Sequence, residues 1–184
     1  LVAEETLDTF SLTGFKNILD LGGGTGAFLY EVNRRYPDIE RSLFDLPDVI
    51  NEAEKNKSSN KHFANIRLIA GSFLEDDLPK GFDLISLVRV LYDHQDDTAE
   101  KILSCVYKAL PNDGKLLITE PMSGGINPSK SSDCYFSFYT MAMTTGKVRS
   151  FDEHKAILKK VGFSRVRRHV GSASFITQVI TAEK

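Results

Sequence analysis

The sequence predicts an α/β fold whose sheet is mostly parallel and has a C-terminal antiparallel strand. Apolar runs alternate with amphipathic helical segments along the 184 residues, and this rhythm is typical of parallel sheets with right-handed crossovers. The last two apolar runs, 163–169 and 174–182, are separated only by Gly171 and its neighbours. A connection this short cannot cross over to a parallel strand, so the two runs must be antiparallel if they pair.

Five earlier apolar runs are predicted to be the other strands. The run 82–88 is apolar almost throughout, as expected of a strand that is covered on both faces. The five predicted strands are, in chain order, 16–21, 41–46, 66–70, 82–88 and 115–119.

Five helices are predicted between and after these strands. Pro37 ends the first helix and Pro47 opens the second, because proline is well placed in a first helical turn. The third helix is the best defined, since Asp97 and Glu100 form a capping box ahead of a buried apolar stripe. The predicted helices are 27–36, 47–58, 97–110, 135–144 and 151–161.

The composition is that of one ordinary domain. Hydrophobic residues make up 41% of the chain, charged residues 26%, and the formal net charge is -2. So small a charge gives no general attraction to nucleic acid or to an anionic membrane. No apolar run reaches the roughly 20 residues that span a bilayer, so no integral membrane segment is expected. Cys105 and Cys134 lack metal-ligand spacing, and a reducing cytoplasm is the expected compartment.

A glycine-rich turn after the first predicted strand indicates a cofactor site. Gly22, Gly24 and Ala27 fit the spacing of a dinucleotide-binding turn. Asp20, at the end of the strand, would repel a pyrophosphate but suits an ammonium group. Asp45 ends the second strand, where a carboxylate can accept hydrogen bonds from both ribose hydroxyls. S-adenosylmethionine (SAM) has an ammonium, a sulfonium and no phosphate, so it fits these residues; the alternative is a plain turn in which Asp45 caps a helix.

Together with later motifs, this turn resembles the small-molecule O-methyltransferase family that includes the plant caffeate and the acetylserotonin enzymes. Residues 89–94 and 120–122 are most similar to the bacterial carotenoid enzymes of the demethylspheroidene and hydroxyneurosporene type. The motifs that carry the resemblance follow in the order 20–26, 44–47, 71–73, 87–91 and 117–121.

The resemblance implies a Rossmann-like, seven-stranded methyltransferase sheet, with residues 1–184 as the SAM-binding catalytic domain. The family's N-terminal dimerisation domain is not present in this chain, and a homodimer through that domain is expected for the full-length protein. The implied reaction transfers a methyl group from SAM to a hydroxyl of an apolar small molecule, such as a carotenoid tertiary alcohol, and leaves S-adenosylhomocysteine. The implied location is the cytoplasm, with membrane association through the substrate.

Eight residues are expected to bind the cofactor because of this resemblance. The glycine turn would hold the methionine part, Ser72 and Phe73 would lie at the adenine, and Arg89 would meet the carboxylate. The family usually has Asp at position 72, so Ser72 reshapes or weakens the adenine contact; Arg89 has a second interpretation as a surface arginine. The expected cofactor-binding residues are Asp20, Gly22, Gly24, Asp45, Leu46, Ser72, Phe73 and Arg89.

Tyr92, His94 and Glu120 are the candidate catalytic residues. Phenol-methylating relatives have a histidine base at the position of Tyr92, whereas an unperturbed tyrosine, with a pKa of about 10, is a poor base at neutral pH. His94 either stacks at the adenine or accepts the proton, and Glu120 matches one orienting carboxylate. The second such carboxylate is replaced by Val148. These departures fit an aliphatic alcohol acceptor, and they fit a catalytically impaired relative equally well.

A segment rich in aromatic residues and methionine is the candidate wall for the acceptor. Aromatic faces and flexible thioethers suit an extended apolar molecule, but ordinary core or a dimer surface would have the same composition. The candidate substrate-binding residues are Tyr135, Phe138, Tyr139 and Met143.

Two other functions stay open. A non-catalytic SAM-binding protein would explain Tyr92 and Val148, and a nicotinamide-dependent oxidoreductase would explain the dinucleotide-type turn. Against the oxidoreductase stand the closing antiparallel pair and the lack of a Tyr-x-x-x-Lys arrangement. No metal is expected, because Asp96 and Asp97 lie where a helix N-terminus favours acidic residues.

Overall fold

Seven strands form one sheet within residues 1–59, 63, 65–123, 130–143, 145–171 and 177–184, which the computed structural model describes. In chain order they are β1 Asn17–Leu21, β2 Glu40–Asp45, β3 Ile66–Ala70, β4 Leu84–Val88, β5 Lys115–Glu120, β6 Ser164–His169 and β7 Gln178–Glu183.

The strand order across the sheet is β3-β2-β1-β4-β5-β7-β6. The first five strands pair in parallel, β7 pairs antiparallel with β5, and β6 pairs antiparallel with β7. The predicted Rossmann-like, seven-stranded sheet with an antiparallel C-terminal strand is therefore confirmed. Residues 174–176 of the last predicted strand lie outside the described residues.

Helices cover both faces of this sheet. None of those in the described residues is long and apolar enough to cross a membrane. They are α1 Val2–Thr9, α2 Ala27–Arg35, α3 Pro47–Ser59, α4 Asp96–Ala109, α5 Lys130–Met143 and α6 Phe151–Val161, with a 3-10 turn at Leu91–Asp93 between β4 and α4.

The core lies in two apolar layers, one on each face of the sheet. Alternate residues of the same strand enter different layers, so Leu19 of β1 packs with α4 and α6 while Ile18 packs with α1 and α2. Because both faces are covered, each central strand is apolar almost throughout. This composition is why the strands could be predicted from the sequence.

Helix α1 was not predicted. Its buried residues include Glu5 and Thr6 beside Leu7, so the buried face is largely polar. Leu1 precedes it without a capping side chain. The helix therefore lacks both the apolar stripe and the start signal by which a helix is usually identified in a sequence.

The predicted capping box at Asp97 is wrong. Helix α4 begins one residue earlier, and Gln95 at its N-cap position makes no side-chain capping bond. The Gln95 amide instead donates to the carbonyls of Thr145 and Gly146, both at 3.2 Å. A capping box does form at α6, where Ser150 and Glu153 satisfy each other's backbone N–H groups.

We expect Ser150→Ala to lower the free energy of unfolding by about 1 kcal/mol, because it leaves the Glu153 N–H without its capping oxygen. The change would be measured by urea denaturation. Ser164→Ala serves as the control, since its exposed hydroxyl contacts only a strand-end carbonyl. Equal effects of the two substitutions would contradict the capping role.

Candidate active site

The predicted site residues converge on one edge of the sheet, where the carboxyl ends of β1, β2, β4 and β5 meet. Asp20, Asp45 and Glu120 are the last or penultimate residues of their strands, and Arg89 directly follows β4. In open α/β sheets, ligands bind in the crevice outside these carboxyl ends.

The turn after β1 presents bare backbone to this crevice. Gly22, Gly24 and Gly26 have φ angles of 70°, 60° and 90°, a left-handed conformation that favours glycine. A Cβ at Gly24 would meet no atom within 4 Å, whereas a Cβ at Gly23 would overlap Oδ2 of Asp20. The turn is therefore packed tightly against the sheet on one side and open on the other.

Asp20 is a fully buried carboxyl at the base of this turn. The Ser86 hydroxyl donates to its Oδ1 at 2.6 Å, while its Oδ2 has no hydrogen-bond partner among the described residues. Desolvation outweighs the Ser86 hydrogen bond and raises the pKa of Asp20 to about 7. A buried carboxyl that titrates near neutrality and keeps one oxygen unpaired is a candidate ligand-binding group.

A cavity of about 340 Å³ includes Asp20 in its lining. Residues 22–25 of the turn line it together with Arg89, and Val2 and Ala3 of α1 complete the wall. The cavity therefore offers an acidic and a basic side chain to the same ligand.

Asp45 stabilises the turn from the neighbouring strand. Its Oδ2 accepts the Gly24 N–H at 2.8 Å, and its Oδ1 accepts the Leu46 N–H at 2.7 Å. Each carboxylate oxygen retains a lone pair for a further donor. The Leu46 side chain is exposed and thus accessible to a ligand.

Phe73, which follows Ser72 in the chain, lies beside Gly22 of the glycine turn. A Cβ at Gly22 would be 3.6 Å from Cε1 of Phe73, and the Phe73 ring meets His94 edge-on at a centroid distance of 5.8 Å. The Ser72 N–H donates to Asp76 at 2.8 Å, which fixes the start of the loop that carries Phe73.

Arg89 joins the glycine turn to a group of aromatic side chains. Its guanidinium carbon lies 5.2 Å from the ring centroid of Tyr92 and 5.7 Å from that of Phe136. Its Nη2 donates to the Tyr92 hydroxyl at 3.4 Å. The backbone of Arg89 has a φ of 59°, which is uncommon for a residue other than glycine. Arg89 is therefore held in the site rather than extended over the surface.

Tyr92 is buried next to Tyr139, with the two rings stacked at a centroid distance of 5.9 Å. Burial, reinforced by the hydrogen bond with Tyr139, raises the pKa of Tyr92 to about 12, although Arg89 opposes the shift. The hydroxyl is therefore neutral at physiological pH. It can donate or accept a hydrogen bond, but even less of it is present as the basic phenolate at neutral pH than for a free tyrosine.

Glu120 contacts the backbone of the turn that carries Tyr92. Its Oε1 accepts the N–H groups of Val90 at 2.9 Å and Leu91 at 2.7 Å. Its Oε2 has no hydrogen-bond partner in the described part of the chain. Desolvation raises the pKa of this fully buried carboxyl to about 8, against the effect of the backbone donors.

His94 ends the same turn and is half-buried. Burial lowers its pKa, although the neighbouring Asp93 carboxylate opposes the shift, so the imidazole is neutral near pH 7. Asp93 has one buried oxygen without a partner among the described residues, and desolvation raises its pKa.

The candidate acceptor wall lies on α5, and only part of it reaches this site. Tyr139 contacts Tyr92, whereas Tyr135 and Phe138 are 65% and 66% exposed. The side chain of Met143 lies outside the described residues. Phe136, on the same helix, is buried beside Arg89.

Two residues of the site were not identified from the sequence. Ser86 is a lone hydroxyl in an apolar strand, a pattern that could have indicated a buried hydrogen bond. Arg149 is 1% exposed, and its guanidinium binds Asp96 together with backbone carbonyls of the Tyr92 turn. No spacing rule identifies it, because its partners are mostly main-chain oxygens.

Asp96, at the start of α4, pairs with Arg149 and Lys147 at 2.8 and 2.7 Å. Within the described residues, no group of three His, Cys, Asp or Glu side chains is arranged to hold a metal ion.

Two curated enzymes are similar to the chain over nearly its whole length. Demethylspheroidene O-methyltransferases from Rhodobacter capsulatus and Cereibacter sphaeroides are 46% and 43% identical to the chain over 184 and 182 residues. The alignments cover 100% and 99% of this chain but 45% and 48% of those enzymes. The chain thus spans about half the length of the curated relatives that it matches.

Solved structures share the fold. Human N-acetylserotonin methyltransferase in complex with SAM is 28% identical, with a TM-score of 0.88, and the match covers 100% of this chain and 52% of that one. Mitomycin 7-O-methyltransferase is 25% identical, with a TM-score of 0.89 over 100% of this chain and 53% of that one.

A family model described as an O-methyltransferase domain matches residues 1–164. This match, the sheet topology and the sequence identity to named O-methyltransferases along nearly the whole chain show that the chain belongs to the O-methyltransferase family.

Proposed function

We propose that the protein transfers a methyl group from SAM to a hydroxyl of an apolar small molecule, with a carotenoid tertiary alcohol as the acceptor. The cavity beside the glycine turn carries this proposal, because Asp20 and Arg89 both line it and Oδ2 of Asp20 has no hydrogen-bond partner among the described residues. The carotenoid acceptor is supported by the relatives that are named for demethylspheroidene.

The described residues fit SAM as the cofactor. Asp20 can bind the ammonium of the methionine part, and Arg89 can bind its carboxylate. Asp45 retains acceptor capacity for ribose hydroxyls, and the Phe73 ring offers an apolar face for the adenine. The absence of a Cβ at Gly24 leaves open space where the cofactor backbone would approach.

The remaining chemistry is mainly positioning. Bound SAM would supply a methyl group on a sulfonium, which is already a strong electrophile. The protein must then hold the acceptor oxygen in line, about 3–3.5 Å from that methyl. The Tyr92 hydroxyl can hydrogen-bond an alcohol, and Tyr139 beside it offers an apolar face to the rest of the molecule.

The pKa shifts of Tyr92 and His94 bear on how the acceptor loses its proton. Tyr92, with a pKa of about 12 because it is buried, does not accept a proton at neutral pH. His94, neutral because burial lowers its pKa, can accept a proton. Neither group would remove the proton of an aliphatic alcohol in advance, so we propose that the proton passes to the neutral His94 imidazole or to solvent only late, as the oxygen gains its methyl and the sulfonium loses it. Glu120 would orient the backbone that carries both side chains.

The same proposal covers the domain organisation, the location and the oligomeric state of the protein. Residues 1–184 would be the SAM-binding catalytic domain of a cytoplasmic enzyme that forms a homodimer through an N-terminal domain. Its acceptor would bring it to membranes.

A non-catalytic SAM-binding protein is the second candidate, because Tyr92 and Val148 replace side chains that the family uses for proton transfer.

For Asp45→Ala we expect at least about a tenfold loss of affinity for S-adenosylhomocysteine, since a hydrogen bond to a charged group contributes about 1.5–3 kcal/mol. Wild type should bind it with a Kd of about micromolar order, and NADH should not bind. Calorimetric titration measures each case. Asp83→Ala is the matched control, because Asp83 also accepts two backbone N–H groups but lies at the opposite edge of the sheet. Binding of NADH alone would support the oxidoreductase instead.

The affinity for S-adenosylhomocysteine should fall by about tenfold for each pH unit below 7, because the ammonium requires ionised Asp20. Burial raises the pKa of Asp20 to about 7, so binding at lower pH must first release its proton. Calorimetry between pH 5.5 and 8, about the range in which the protein is expected to stay folded, measures this slope. In Asp20→Asn the slope should vanish; the same slope in this variant would exclude Asp20 as its source.

Removing the hydroxyl in Tyr92→Phe should lower kcat with demethylspheroidene by about 10- to 100-fold, because an orienting hydrogen bond of about 1–3 kcal/mol is lost. The affinity for S-adenosylhomocysteine should stay unchanged. Tyr107→Phe is the control, since Tyr107 packs against Phe163 in the core. A variant as active as wild type would show that Tyr92 does not orient the acceptor, and a wild type that binds cofactor but forms no product would favour the non-catalytic function.

A further inference from the structure

Arg149 donates hydrogen bonds to main-chain carbonyls of the turn that carries Tyr92 and His94. Its Nη1 donates to the Leu91 carbonyl at 2.9 Å, and its Nη2 donates to the His94 carbonyl at 2.7 Å. These two carbonyls stand on either side of Tyr92 and Asp93 in the chain. One planar guanidinium therefore spans the turn from end to end.

The segment around Arg149 adds further bonds to the same turn. The Lys147 N–H donates to the Tyr92 carbonyl at 2.8 Å, and the Gln95 amide donates to the Gly146 carbonyl at 3.2 Å. A Cβ at Gly146 would be only 2.8 Å from the Tyr92 carbonyl oxygen, so the two backbones are in close contact. The turn is thus docked on residues 146–149 rather than left as an exposed loop.

Glu120 holds the opposite side of the turn through the N–H groups of Val90 and Leu91. Glu120 therefore accepts N–H groups on one side of the turn, while Arg149 donates to carbonyls on the other side. Arg149 is 1% exposed, so its bonds are protected from water. Loss of the guanidinium would remove the donor to the His94 carbonyl and leave the Leu91 carbonyl with the His94 N–H alone, and the loss of such bonds is costly inside a protein.

We infer that Arg149 is a positioning residue for methyl transfer: it holds the Leu91–His94 backbone so that Tyr92 and His94 face the acceptor. The inference rests on the proposed function. In-line transfer tolerates little displacement, since a shift of about 1 Å can cost about 100-fold in rate. Arg149 acts on the acceptor side, while the cofactor residues Asp20 and Asp45 are held by bonds of their own.

The test compares Arg149→Lys with Arg168→Lys, which makes the same chemical change at an exposed position on β6. A lysine ammonium is a point donor and cannot reproduce the planar fork that reaches two carbonyls. Calorimetric titration with S-adenosylhomocysteine gives the Kd and the stoichiometry. Amide hydrogen exchange in the peptide 90–96 is measured in the protein bound to S-adenosylhomocysteine, and kcat per cofactor-binding site is measured with demethylspheroidene.

For Arg149→Lys we expect exchange in this peptide to be at least about tenfold faster and kcat per cofactor-binding site to fall at least about tenfold. The Kd should stay within about threefold of wild type. Counting only sites that bind the cofactor removes any loss that comes from unfolded protein. Arg168→Lys should change none of these quantities.

Unchanged exchange in peptide 90–96, or a kcat equal to that of Arg168→Lys, would overturn the inference. Loss of cofactor affinity in parallel with kcat would also overturn it, because Arg149 would then support the whole fold rather than the acceptor side. A wild type that binds S-adenosylhomocysteine but forms no product would contradict the proposed function, and exchange alone would then decide whether Arg149 holds the turn.

Discussion

The hydrogen bond between Ser86 and Asp20 connects the two strands on which the candidate site depends. After β1 the chain builds outwards to β2 and β3, then returns to place β4 on the other side of β1. A crevice opens where the connections diverge in this way, and ligands of α/β proteins bind there. Asp20 and Ser86 are register partners at that point, and their 2.6 Å bond fixes the buried carboxyl between the glycine turn and the Arg89 segment.

Burial gives this crevice an unusual electrostatic character. Asp20, Asp93 and Glu120 all have raised pKa values, and desolvation is the largest cause in each case. Asp20 and Glu120, whose pKa values burial raises to about 7 and about 8, are therefore only partly ionised near neutral pH. Such a carboxyl group can ionise when a cationic ligand arrives, because the nearby positive charge favours the charged form.

Much of the fold and part of the site could be predicted because they depend on residue type. A strand buried on both faces must be apolar, and a carboxylate that ends a parallel strand must lie at the binding edge. The roles of Arg149 and of α1 could not be predicted in this way. Arg149 binds main-chain carbonyls, whose positions no residue type encodes, and α1 buries polar side chains on its inner face. The sequence could likewise predict Tyr92 as a candidate site residue, but it could not reveal that its ring stacks on Tyr139.

The left-handed backbone of Arg89 has a consequence for how this protein would respond to engineering. A side chain in that conformation costs roughly 1–2 kcal/mol, a penalty that glycine avoids and asparagine reduces. Selection for thermal tolerance alone would therefore favour Gly or Asn at position 89. The stabilised protein would lose the guanidinium that lies over Tyr92 and Phe136. If Arg89 binds the cofactor as proposed, thermostability and activity would be opposed at this position, and a library screened only for heat resistance would drift towards well-folded variants that lack this cofactor contact.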